Sequence, residues 1–229
     1  MGYCNHRLPL LLGTVLALTA CGTDTPASPD PPAVPPTALV SPPEAPRIYA
    51  DEVFVGAGDV ADCTLSGAEL TARLLDRTPG TVFMLGDGAY GDGKLEEYLN
   101  CYEPTWGRHL GRTRPVPGNH DYSPASLRGF FTYFAGQIGE GGRSYYEFGL
   151  GAWRVYALDS NIDAGQGSAQ YQWLANALPL ESGGCTLAYW HHPLVSSSKG
   201  GDNHQMLPLW RLLVERGADV VLNLSLIHI

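Results

Sequence analysis

From Ile48 onward the chain alternates short apolar runs with amphipathic stretches, and this switching between periods predicts a layered α/β architecture. Val53–Gly58 and Thr81–Leu85 read as the first two strands. Between them, Ser66 followed three residues later by Glu69 has the form of a capping box, so a helix is expected from Ser66 to about Arg77. A Gly-rich loop and a short helix near Lys94–Tyr102 lead to a third strand around Arg114–Val116. Ser123-Pro124 is expected to open a helix that continues through Phe134. Ser144–Leu150 and Trp153–Asp159 alternate on either side of a Gly151-Ala152 link, the pattern of a hairpin, which predicts mixed rather than purely parallel sheets. A helix over Ser168–Leu178, a strand over Thr186–Trp190, a helix over about Met206–Arg216 and a strand over Asp219–Asn223 complete the pattern. No internal repeat interrupts it.

The ends do not share this pattern. His6 and Arg7 precede an apolar run from Leu8 to Ala20, which reads as an export signal in residues 1–20 and is too short to span a bilayer comfortably. Leu18-Thr19-Ala20-Cys21 resembles a bacterial lipobox, so lipid attachment at Cys21 and a location outside the cytoplasm are expected, with plain secretion as the alternative. Residues 21–47 are dense in Pro with almost no large apolar side chain, the composition of an extended tether. That leaves one domain, 48–223, and a 229-residue chain with 44% apolar residues can bury one sizeable core. The formal charge of −9 argues against a nucleic-acid surface and against any membrane contact beyond the lipid. Cys63, Cys101 and Cys185 remain in the folded part, which permits one disulfide and one leftover thiol, and spacing does not say which pair.

Metal-capable residues sit just past the C-terminal ends of successive strands, at Asp59, Asp87, Asn119-His120 and His191-His192. That edge of an open α/β sheet is where ligands bind, because the loops converge there. A single Asp after Gly is ordinarily a turn residue, so the weight lies in the set. Gly58-Asp59, Gly86-Asp87-Gly88-Ala89-Tyr90, Gly118-Asn119-His120-Asp121 and His191-His192-Pro193 match, in order and spacing, four motifs of the calcineurin-like metallophosphoesterases. The chain resembles in particular their purple-acid-phosphatase branch, from about Val53 to Asn223.

The resemblance implies a four-layer αββα metallophosphatase sandwich that hydrolyses phosphate esters of small molecules at a two-metal site. It gives Asp87 the bridging role, Asp59 and Tyr90 to the first metal, and Asn119 and His191 to the second. Oxygen and imidazole ligands suit iron paired with iron, zinc or manganese, and a phenolate such as Tyr90 favours a ferric first ion. His120 is implied to bind phosphate or to protonate the leaving group, with Asp121 orienting it. His192 is left outside the ligand set, and His109 and His204 read as surface residues. Trp153, Trp173, Trp190 and Trp210 fall on apolar stripes and read as core.

The family's last motif, Gly-His-x-His, should follow Asn223, where the chain reads Leu224-Ser225-Leu226-Ile227-His228-Ile229. Residues 224–229 are therefore expected to be a non-native tail on a sandwich incomplete at its C-terminus, with one imidazole missing from each metal and activity impaired. The alternatives to a phosphomonoesterase are a phosphodiesterase or nuclease of the same superfamily and a non-catalytic surface protein that keeps the fold for binding.

Overall fold

The computed structural model describes residues 53–126, 128–179, 184–197 and 202–224. The expected export signal, the Pro-rich tether and the tail beyond Leu224 lie outside these residues, as does most of the loop following His191-His192-Pro193. Among the described residues no helix is long and apolar enough to cross a membrane.

The chain begins with β1 (Phe54–Ala57), the two-residue β2 (Ala61–Asp62), helix α1 (Gly67–Arg77), β3 (Thr81–Leu85) and a second two-residue strand, β4 (Ala89–Tyr90). Helix α2 (Leu95–Glu97) widens into one π turn over Tyr98–Tyr102, and a 3-10 segment, Trp106–Arg112, leads into β5 (Thr113–Val116). Two short 3-10 turns, His120–Tyr122 and Pro124–Ser126, precede α3 (Gly129–Tyr133). The second half comprises β6 (Tyr146–Leu150), β7 (Trp153–Ala157), α4 (Ala169–Ala177), β8 (Cys185–Trp190), α5 (Leu207–Glu215) and β9 (Val220–Asn223).

These strands form two main sheets. The first, in the order β1-β3-β5, is parallel throughout. The second runs β6-β7-β8-β9 and is mixed: β6 and β7 form the expected antiparallel hairpin, with Leu150 opposite Trp153, while β7, β8 and β9 are parallel. Residues of a strand face alternate sides of its sheet, so each strand feeds two cores. In β3, Val82 and Met84 join Ala72, Leu75, Tyr98, Phe130 and Phe134 under α1, α2 and α3, whereas Leu85 and Phe83 face the other sheet. In β8, Leu187 and Tyr189 meet that inner layer, and Ala188 and Trp190 pack outward with Leu174, Leu209 and Leu213 of α4 and α5. Three apolar layers between four structural layers make this the αββα sandwich.

Several local expectations give way to tertiary contacts. Ser66 precedes α1 without a side-chain cap, and Glu69 instead binds Arg73 and Arg108. Arg108 also grips Asp76 with two nitrogens at 2.8 and 2.9 Å, so a distant guanidinium outcompetes the local box. The continuous helix expected from Ser123 to Phe134 is broken, because Arg128 adopts a left-handed conformation with φ 65°. Helix α3 then starts at Gly129, where an added Cβ would lie 2.1 Å from the Gly93 carbonyl oxygen. His109 is not a surface residue; it lies half-buried between Asp76, at 3.0 Å, and the side chain of Arg112. Of the four tryptophans read as core, Trp190 is fully buried and the other three are only partly so, because they sit at the margins of the layers. Cys63 pairs with Cys101, which ties the loop after β2 to the π turn.

Candidate metal centre

The C-terminal ends of β1, β3, β5 and β8 meet at one edge of the sandwich, and each delivers residues through a tight turn. Asp59 and Asp87 both have positive φ, 54° and 51°, a region that short polar side chains tolerate better than most. The two turns extend the parallel ladder: Asp59 N donates to Gly86 O at 3.1 Å and Val60 N to Asp87 O at 3.1 Å. Glycine is required where the loops touch. A Cβ on Gly86 would lie 2.6 Å from His191 Nδ1, and one on Gly118 would lie 2.1 Å from Asp87 Oδ1.

Ligand-capable atoms of Asp59, Asp87 and His191 all lie within 4.8 Å of one another. Tyr90 joins them by donating its hydroxyl to Asp87 Oδ2 at 3.2 Å, and Asn119 joins through Oδ1, 3.2 Å from His191 Nε2. All five residues read from the sequence as metal ligands therefore share one cluster. Asp87 is buried, while Asp59 and Asn119 line its open side.

Proton placement in the cluster follows from geometry. His191 Nδ1 lies 2.5 Å from the Leu85 carbonyl, an acceptor, so Nδ1 carries the ring proton. In the neutral ring Nε2 is then a lone pair, and it faces Asp87 Oδ2 at 3.5 Å and Asn119 Oδ1 at 3.2 Å. Three acceptors thus point at one another. Among the described residues Asp87 has no Lys or Arg partner, only the imidazoles of His191 and, at 3.9 Å, His120. A buried carboxylate without a fixed cation is costly, and a bound metal ion would supply the missing charge, so this donor set fits one. The Asp59 carboxyl is raised from its ordinary value, first by removal from water and then by Asp87, against the lowering pull of His191. The Tyr90 phenol is also raised, by burial and by the charges of Asp87 and Asp59, and stays protonated without a cation beside it.

His120 stands at the mouth, its ring edge-on to Tyr90 at 4.7 Å and its backbone N–H donating to Asp87 Oδ1 at 2.9 Å. Its Nδ1 lies 2.5 Å from the Gly91 carbonyl, which leaves Nε2 facing the cluster. The neighbouring Asp121 points the other way and is buried. It accepts hydrogen bonds from the backbone N–H of Asp87 (3.1 Å) and of Gly118 (2.8 Å) and from the Tyr98 hydroxyl (2.5 Å). The expectation that Asp121 orients His120 is therefore corrected: a backbone carbonyl holds the imidazole, and Asp121 staples the β3 and β5 turns together. Burial pushes its carboxyl up to about 7, against the lowering effect of those donors.

Other supporting residues were missed by the sequence reading. Asp159, at the end of β7, accepts from the Tyr122 hydroxyl at 2.6 Å and from Asn161, whose amide also donates to Pro117 O beside the Asn119 turn. The strand-end rule that found the ligands applies equally to Asp159. Ser160 binds His192 Nδ1 at 2.8 Å, and burial pushes that imidazole down to about 4. Glu97 binds three backbone N–H groups of the loop after Tyr90. Nothing local marked it, since the residue three positions before it is Lys94 rather than Ser or Thr.

A four-layer sandwich with an acidic and imidazole cluster between its sheet ends is the architecture of the metallophosphoesterases. The chain belongs to the calcineurin-like phosphoesterase family, whose model matches residues 50–223. Its fold is also similar to that of the purple acid phosphatase PPD1 from yellow lupin (Lupinus luteus) seeds, with a TM-score of 0.55 and 16% identity. That match covers 74% of this chain and 37% of the lupin chain. No curated protein sequence matches.

Proposed function

We propose that this protein hydrolyses phosphate monoesters of small molecules at a dinuclear metal centre outside the cytoplasm, held to the envelope by lipid on Cys21. The observation that carries the reading is the convergence of Asp59, Asp87 and His191 within 4.8 Å, with Tyr90 and Asn119 in reach and no Lys or Arg partner for Asp87 among the described residues. Asp59, Asp87 and Tyr90 would hold one ion, and Asp87, Asn119 and His191 the other, with iron at the first and iron, zinc or manganese at the second. Such a pair, when bound, supplies charge to the phosphate oxygens and a hydroxide at neutral pH.

The residues of the chain do the rest. Leu85 O fixes His191 so that Nε2 is presented inward, and Asp121 fixes the two turns that carry Asp87 and Asn119. The protonated His120 gives its Nε2 proton to the ester oxygen as the P–O bond breaks, so the alcohol leaves neutral while the water oxygen becomes part of inorganic phosphate. A paired metal analysis and aryl-phosphate assay tests this. Two metals per chain and metal-dependent release of phosphate are expected, and faster cleavage of a diester than of its monoester would replace the monoesterase reading with a phosphodiesterase.

A further inference from the structure

We propose that Glu97 is a positioning residue for His120 and acts on it through a single peptide unit. Glu97 Oε1 accepts from Gly91 N at 2.9 Å, and Oε2 accepts from Asp92 N at 3.0 Å and Lys94 N at 2.8 Å. The peptide that joins Gly91 to Asp92 thus gives its N–H to the carboxylate, while its carbonyl holds His120 Nδ1 at 2.5 Å. Carboxylate, peptide and imidazole form one chain of hydrogen bonds. A charged acceptor on the N–H polarises the amide and strengthens the bond at its carbonyl end.

The base of this chain is rigid. Glu97 occupies the last position of α2, and the next residue, Tyr98, is fully buried with its hydroxyl on Asp121. The π turn that follows is tied by the Cys63–Cys101 disulfide. In the loop 91–94, Gly93 is buried against Asp121 and His120, but Gly91 is exposed and Asp92 and Lys94 are partly exposed and pair with each other, and Glu97 holds the Gly91–Asp92 peptide. Without Glu97 the N–H groups of Gly91 and Asp92 would lose their acceptor, so the Gly91 carbonyl, and with it the bond that keeps the His120 proton on Nδ1 and leaves Nε2 to face Asp87, would be less firmly held. The assignment rests on the reading of His120 as the proton donor only for its purpose, not for its geometry.

The test is ¹⁵N spectroscopy of the His120 ring in isotope-labelled protein without added metal, at a pH where the imidazole is neutral. The native ring should show the Nδ1–H tautomer alone. Glu97→Ala should populate the second tautomer and speed exchange of the Nδ1 proton roughly tenfold or more, the scale of a lost hydrogen bond to a charged group. Glu97→Gln keeps the shape but only one accepting oxygen and should show a smaller change in the same direction. Glu96→Gln, an exposed charge one residue away, should leave the ring unchanged. A native spectrum in folded Glu97→Ala overturns the proposal, as does an equal response to Glu96→Gln. If Glu97→Ala does not fold, an unchanged His120 ring in Glu97→Gln overturns it. Turnover is not read, so a protein inert towards phosphate esters leaves this result standing, and a failed result leaves the phosphoesterase reading standing.

Discussion

The two sheets contribute to the metal centre in different ways. The parallel sheet β1-β3-β5 delivers Asp59, Asp87, Asn119 and His120, with Tyr90 on the small strand β4 that follows β3, and its turns are bound directly to one another through Gly86 O, Asp87 O and the buried carboxylate of Asp121. The mixed sheet delivers one ligand candidate, His191, whose Nδ1 is held by Leu85 O across the gap between sheets. The first sheet is a preassembled half-site; the second is brought to it by apolar packing. Substitutions in the first should therefore change chemistry with little effect on the fold, and substitutions between the sheets should do both.

The sharpest contrast is expected at Asp87. Asp87→Asn preserves its volume and can keep the hydrogen bond from His120 N, yet it removes the charge shared by both proposed ions. Metal content should fall to background and turnover should vanish, while the denaturation midpoint barely moves. Native metal content in that variant would refute the bridging role.

At the sheet interface, Tyr189→Ala should cost about 3–5 kcal/mol, as loss of a buried aromatic side chain does. Tyr189 is fully buried against Phe54, Phe83 and Phe148, and its hydroxyl donates to Arg114 O at 3.0 Å. Because it lies two residues before His191, metal affinity should fall with stability. Urea denaturation and metal titration on one preparation check both, and a loss of stability with unaltered affinity would mean that the sheets do not position His191.

His120→Ala should retain two metals but lose roughly two orders of magnitude in turnover, the scale of general acid catalysis. Loss of metal on that change would make His120 a ligand. The smallest expected effect lies outside the cluster, at Ser168, whose hydroxyl caps α4 by accepting from Tyr171 N at 3.1 Å. Ser168→Ala should cost about 1 kcal/mol and leave metal content and turnover unchanged, so a change in turnover would show that α4 communicates with the site.

What could be read without coordinates was whatever depends on neighbours in the chain. Short apolar runs marked the strands of both sheets, with alternation in the β6-β7 hairpin, Gly-Asp and Gly-Asn steps marked the turns at their ends, and the ordered set of those turns carried the family. These signals are local because a strand's faces and a turn's φ angles are set within a few residues. Tertiary structure decided what depends on partners distant in sequence. Glu69 left its capping box for Arg108, 39 residues away; His191 met Asn119 across 72 residues; and Cys63 chose Cys101. The adjacent pair His120 and Asp121 shows the division most clearly. Residue type places both at a metal-site turn, but only the direction of each side chain, one towards Gly91 O and the cluster, the other into the core against Tyr98, separates a group that can move a proton from one that holds the backbone in place.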